Sequence, residues 1–161
     1  MSYEYSAKEI ENRVAITLGV LLKNDSFLLQ INASERSVSH KLGEYLQAQF
    51  PDWDVDCEYY RKGLDPKILE RISECSDQRR TDRVLPDIIV HKRNTNDNLL
   101  VIEMKLENED PCDIEKLKKF TSSTGEFRYK LGLFIRFDSR GTPSLRWYKD
   151  GNEVRNCGVN C

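Results

Sequence analysis

Leu85-Pro86-Asp87-Ile88-Ile89-Val90-His91, followed after a polar break by Leu99-Leu100-Val101-Ile102-Glu103-Met104-Lys105-Leu106, is the stretch that decides the fold. Both runs are apolar and of strand length, which places strands at 87–91 and 99–106. Arg93-Asn94-Thr95-Asn96-Asp97-Asn98 between them is turn chemistry, so the two strands read as a hairpin. Side chains alternate between the faces of a strand, so Glu103 and Lys105 share one face while Ile102 and Met104 take the other. A turn centred on Thr95 sets Asp87 opposite Glu103, Ile89 opposite Val101 and His91 opposite Leu99. Opposed Cβ atoms lie roughly 4.5–5.5 Å apart. A slip of one residue would send the two carboxylates to different faces.

Two carboxylates on an apolar hairpin conflict, because each raises the other's pKa and burial disfavours both ionised forms. A divalent cation resolves the conflict, and hard oxygen ligands suit magnesium or manganese. Lys105 then stands where it can orient a metal-bound water or help deprotonate it. The competing interpretation has Asp87 capping a strand and Glu103 pairing with Lys105 on a solvated face. The apolar flanks weigh against it, since they imply strands buried on at least one side, where clustered charges point to function.

Upstream, Ile10, Val14, Leu18, Leu21 and Leu22 recur at helical spacing, predicting a helix over 7–22. Asn24-Asp25-Ser26 breaks the pattern before a short apolar patch at 27–31. Ser34 has the chemistry of a helix N-cap, and the helix it opens should run to Phe50, before Pro51. Val38, Leu42, Tyr45 and Leu46 form its apolar stripe. Glu35 falls inside that stripe and points toward the sheet, whereas Glu44 and His40 fall on the solvated side. Service to the helix dipole or a pair with Arg36 would also account for Glu35; a nearby cation that wants another carboxylate accounts for it better.

After Pro51 the period changes, and 53–60 reads as a strand with Val55, Cys57 and Tyr59 alternating against Asp54, Asp56 and Glu58. Residues 61–83 are polar, with one short helix expected at 66–75. Downstream, 113–120 reads as a helix, 131–137 as a buried strand and 144–148 as an edge strand. The expected architecture is one α/β (α+β) domain over 1–161, a central mixed sheet flanked by helices. Its core spans about 33–149, and 150–161 form a flexible tail.

The chain has 161 residues, 32% charged and 39% hydrophobic, which suits a globular domain. Its formal net charge of −2 gives little nonspecific grip on nucleic acid, so any such role needs local basic patches or bound cations. Five scattered cysteines in no metal-binding spacing read as reduced thiols. No signal peptide or membrane-length apolar run is evident, so a cytoplasmic protein with no membrane partner is expected.

Arg61, Lys62, Lys67, Arg71, Arg79, Arg80 and Arg83 form a basic concentration that could track a phosphate backbone. Asp65, Glu70, Glu74, Asp77 and Asp82 are interleaved there, so a solvated loop is an equal alternative. Arg128, Tyr129 and Lys130 are further candidate phosphate contacts. Lys116, Lys118 and Lys119 read by default as a charged helix face. His91 lies nearer the turn than Asp87, in a supporting or surface role.

Pro86-Asp87, then fifteen residues, then Glu103-Met104-Lys105, with Glu35 on the preceding helix, resembles the motif of the PD-(D/E)XK nuclease superfamily. The runs 32–46, 55–61 and 86–105, together 42 of the 161 residues, resemble small bacterial or phage members of it. The resemblance implies a restriction-endonuclease-like core and a magnesium-dependent endonuclease cutting phosphodiester bonds to leave a 5′-phosphate. It implies that Asp87, Glu103 and the backbone carbonyl of Met104 bind metal. Lys105 would position the attacking water or stabilise developing phosphate charge, and Glu35 would bind metal directly or through water. The expected partner is nucleic acid, DNA favoured, with a homodimer or larger complex open. The alternative is a non-catalytic nucleic-acid- or protein-binding module on the same fold, a subunit of a larger defence or repair complex; a third reading is a helper subunit whose N-terminal helix 7–22 docks a partner or a second copy.

Overall fold

The computed structural model describes residues 4–31, 33–58, 61–62, 65–66 and 85–155. Helix α1 spans Ala7–Gln30 and opens with a capping box, in which Ser6 accepts from the Glu9 N–H while the Glu9 carboxylate accepts from the Ser6 N–H. Ile10, Val14, Leu18 and Leu21 are buried along one face. The helix does not stop at Asn24, as the polar triplet suggested. Asp25 alone leaves helical geometry (φ −131°, ψ 21°), the axis kinks, and the helix resumes. The Tyr45 hydroxyl donates to the Asp25 carboxylate, tying the kink to the next helix. That helix, α2, spans Glu35–Gln49, with Ser34 as N-cap accepting from the Ser37 N–H.

Strands β1 (Asp54–Cys57), β4 (Ile88–His91), β5 (Asn98–Leu106), β6 (Leu131–Phe137), β7 (Pro143–Lys149) and β8 (Asn152–Val154) form a six-stranded sheet in that spatial order. Among the described strands only β5 and β6 run parallel, and helix α3 (Pro111–Thr121) connects them. The sheet is therefore mixed, as expected. Two-residue strands β2 (Arg61–Lys62) and β3 (Asp65–Pro66) pair separately, so Pro66 stands in a strand and not at the start of the expected helix. The rest of that helix, 67–75, and the ends of the expected strand at Tyr59 and Tyr60 lie outside the described residues.

Strand alternation sorts the core into two layers. Ile88, Val90, Leu100, Ile102, Met104, Leu133 and Ile135 pack with α1 and α2. Ile89, Val101 and Phe134 pack on the opposite face with Leu117 and Phe120 of α3. Gly132 permits that second contact, because a Cβ there would stand 2.9 Å from the Thr121 methyl.

Two expectations near the C-terminus are corrected. Strand β7 is not an edge: β8 covers it, pairing Trp147 with Val154. Residues 152–154 thus belong to the sheet and not to a flexible tail, because Asp150 and Gly151, both at positive φ, make a two-residue hairpin turn. The cysteines need a correction too. Cys57 is a free thiol, but Cys112 is disulfide-bonded and so is not a reduced thiol. Among the described residues no helix is long and apolar enough to cross a membrane.

Candidate functional site

The β4–β5 register matches the sequence reading at the Asp87 and Glu103 end. Ile88 pairs with Ile102 and Ile89 with Val101, so extending the ladder by one residue sets Asp87 opposite Glu103. At the turn end a register shift after Val90 pairs His91 with Asn98 instead of the expected Leu99. The ladder stops at Ile88, whereas β5 runs on to Leu106, which leaves the last residues of β5 with no strand partner on that side among the described residues. Two carboxylates serve the exposed N–H groups. Asp87 Oδ2 accepts from the Met104 N–H at 2.8 Å, and Glu35 Oε2 accepts from the Leu106 N–H at 3.0 Å.

Glu103 projects to the α3 face and is 1% exposed. Its Oε2 accepts from Lys116 Nζ at 3.0 Å, while its Oε1 is buried with no hydrogen-bond donor among the described residues. Lys116 Nζ also stands 2.8 Å from Asp113 Oδ1, and Asp113 is itself 4% exposed. The second Asp113 oxygen lies 3.5 Å from Lys105 Nζ, which in turn donates to Glu35 Oε1 at 3.2 Å. The chain of contacts therefore runs Glu103–Lys116–Asp113–Lys105–Glu35.

The electrostatics follow from burial. Desolvation holds the Glu103 carboxyl well above its ordinary value, against the pull of Lys116 and with Asp87 and Asp113 adding to the rise. Burial likewise raises Asp87, opposed by the Met104 N–H and the lysines. For both lysines burial acts downward, but the surrounding carboxylates outweigh it and raise them. Four carboxylates (Glu35, Asp87, Glu103, Asp113) against two ammoniums (Lys105, Lys116) leave two formal negative charges.

This cluster suits a divalent cation in charge and in ligand hardness, and Glu103 Oε1 is a buried carboxylate oxygen with no donor of its own. Asp87 and Glu103 are the side chains that would hold it, with the Met104 carbonyl on the same strand edge as the N–H bonded to Asp87. Glu35 is turned to Lys105 and the Leu106 N–H, so it joins the site through the lysine. Among the described residues no three His, Cys, Asp or Glu side chains converge as ligands of one ion.

Sequence reasoning missed Asp113 and misjudged Lys116, which is turned inward with its side chain 17% exposed. The signal for Asp113 was present: Asp113, Leu117 and Phe120 are spaced i, i+4, i+7 and share the buried face of α3. Lys118 does sit on the solvated face, paired with Glu115. Arg128, Tyr129 and Lys130 are not brought to the carboxylates. Lys130 anchors to the Tyr5 carbonyl and Glu4, and its N–H donates to Asn98 at the far end of β5. Glu103 lies five residue steps along the strand from Asn98, or about 17 Å. Arg128 donates to the Gly125 carbonyl near that same end, and Tyr129 is core, 2% exposed. Arg79, Arg80 and Arg83 lie outside the described residues. His91 is buried, with Nε2 2.8 Å from Asp56 Oδ2; Arg93 holds the same carboxylate, a structural cluster that braces β1 against β4. His40 is exposed, as expected.

No protein-family model matches this chain, and no curated protein matches it.

Proposed function

We propose that this chain is a divalent-metal-dependent phosphodiester hydrolase acting on nucleic acid, with DNA as the favoured substrate and a restriction-endonuclease-like core. The observation that carries the reading is the buried Glu103 carboxylate. One of its oxygens has no donor, on a strand where Asp87 stands opposite and Lys105 shares the face. Lys116 meets only one of its oxygens, and such a carboxylate is costly to bury unless a further cation completes it. Magnesium or manganese bound there would act as Lewis acid and lower the pKa of a bound water. Lys105 is held by Glu35 and Asp113 at the open end of β5, an ammonium fixed where negative charge on a phosphate would develop. Asp87 keeps its carboxylate at the strand edge through the Met104 N–H. The resemblance of the Pro86-Asp87…Glu103-Met104-Lys105 pattern to the PD-(D/E)XK superfamily supports the same assignment.

The test is incubation of the protein with single- and double-stranded DNA and RNA, with Mg²⁺, Mn²⁺ or EDTA. The reading expects cleavage with either metal, none with EDTA, and none from Glu103→Gln. Metal-independent cleavage, or equal activity in Glu103→Gln, would refute it. One observation favours the second reading, a non-catalytic module docking a partner: α1 and the residue that ends it leave Ile16, Phe27 and Ile31 more than half exposed. Absence of cleavage on every substrate, with retained binding to nucleic acid or protein, would select it.

A further inference from the structure

Lys116 and Asp113 of α3 belong to neither the strand hairpin nor the helix-borne glutamate, yet they connect every charged member of the site except Asp87. Lys116 reaches from α3 to hold one oxygen of Glu103 at 3.0 Å, which leaves the other oxygen buried and without a donor. Asp113 holds Lys116 at 2.8 Å with one oxygen and faces Lys105 at 3.5 Å with the other. Glu103 and Asp113 are buried and Lys116 is 17% exposed, and Asp113 is rooted in a helix that packs on the sheet through Leu117 and Phe120. Alternative rotamers of Glu103 are therefore restricted by packing as well as by charge.

We infer that Asp113 and Lys116 are positioning residues: Lys116 pins Glu103 so that its free oxygen is presented to a divalent cation, and Asp113 sets the spacing of Lys116 and Lys105. The inference rests on the proposed metal site. It makes Lys116 a supporter of cation binding, although its positive charge alone would oppose a second cation in the same cluster. The two roles have opposite signs. Removal of the ammonium weakens metal binding if orientation dominates and tightens it if repulsion or competition dominates. Hydrogen-bonded partners of ligating carboxylates change metal affinity by roughly 10–100-fold when lost.

Calorimetric titration of Mn²⁺ into wild type, Lys116→Met, Lys116→Arg and Asp113→Asn separates them. Each titration is run well below the variant's own melting temperature, and the melting shift on adding Mn²⁺ is taken against its own metal-free value. The inference expects Lys116→Met to weaken Mn²⁺ binding roughly 10–100-fold. Lys116→Arg should recover part of that loss, and Asp113→Asn should weaken binding less than Lys116→Met. Unchanged or tighter binding in Lys116→Met overturns the inference while leaving the metal site intact. Should Lys116→Met fail to fold, Asp113→Asn decides: unchanged affinity there overturns it as well. Absence of Mn²⁺ binding by wild type overturns both this inference and the metal-dependent reading on which it rests.

Discussion

Replacement of Lys116 by methionine keeps most of the side-chain volume and removes the charge from a cluster that water hardly reaches. Lys116 makes two charge-assisted contacts, 3.0 Å to Glu103 and 2.8 Å to Asp113, and those carboxylate side chains are 1% and 5% exposed. Each such hydrogen bond contributes about 1.5–3 kcal/mol. Breaking a buried pair by removing one partner costs about 3–5 kcal/mol, because the remaining charge is stranded. The expected loss for Lys116→Met is therefore about 3–5 kcal/mol by urea denaturation at pH 7, or roughly 6–20 °C in melting temperature for a domain of this size. The double variant Lys116→Met/Glu103→Gln should recover a large part of it, since the stranded charge goes too. Lys41 serves as the control. Its pair with Glu44 is far more exposed, 38% and 55%, and Lys41→Ala should leave the urea midpoint nearly unchanged. A loss below about 1 kcal/mol for Lys116→Met would place it with the surface pairs and refute the reasoning.

Other perturbations have separate readouts. Burial acts against the charged form of Asp56, but hydrogen bonds from Arg93 and His91 outweigh it and hold its pKa below the ordinary 3.8. A depressed carboxylate stabilises the fold above the unfolded pKa and ceases to do so as pH falls through the folded one. The stability gap between wild type and Asp56→Asn, about 1–3 kcal/mol at pH 7, should thus close below about pH 4 in acid titrations of urea midpoints. A gap that widens toward low pH would contradict this. Ser34→Ala removes the α2 N-cap and should cost about 1 kcal/mol in the same urea assay. Gly132→Ala drives a Cβ to 2.9 Å from Thr121 and 3.3 Å from Tyr148, both packed, so a loss of about 1–3 kcal/mol is expected.

The hairpin was legible because two local signals agreed. The turn chemistry at 93–98 fixed the pairing, and the period-two pattern fixed which side chains share a face. The His91 register failed because a one-residue irregularity at the turn end leaves no trace in the apolar pattern. Glu35 was found by asking which charge interrupts an apolar stripe, and the same question put to α3 would have found Asp113. Lys116 is different. It flanks the stripe, and only the depth of Glu103 beneath α3 decides that its ammonium turns inward. Some signals were present and unused: the Ser6-x-x-Glu9 capping box, and Asp150-Gly151 as a hairpin turn joining β7 to β8. The continuation of α1 past Asp25 was not legible, because a kink braced by Tyr45 from another helix overrides the local preference of Asn-Asp-Ser to stop.

The central claim is that Asp87 and Glu103 form a cation site, and calorimetric titration of Mn²⁺ into wild type and Asp87→Ala tests it most directly. Binding by wild type, with a loss of at least about 10-fold in Asp87→Ala, is the predicted result. Equal binding by the two proteins, or none by wild type, would contradict it.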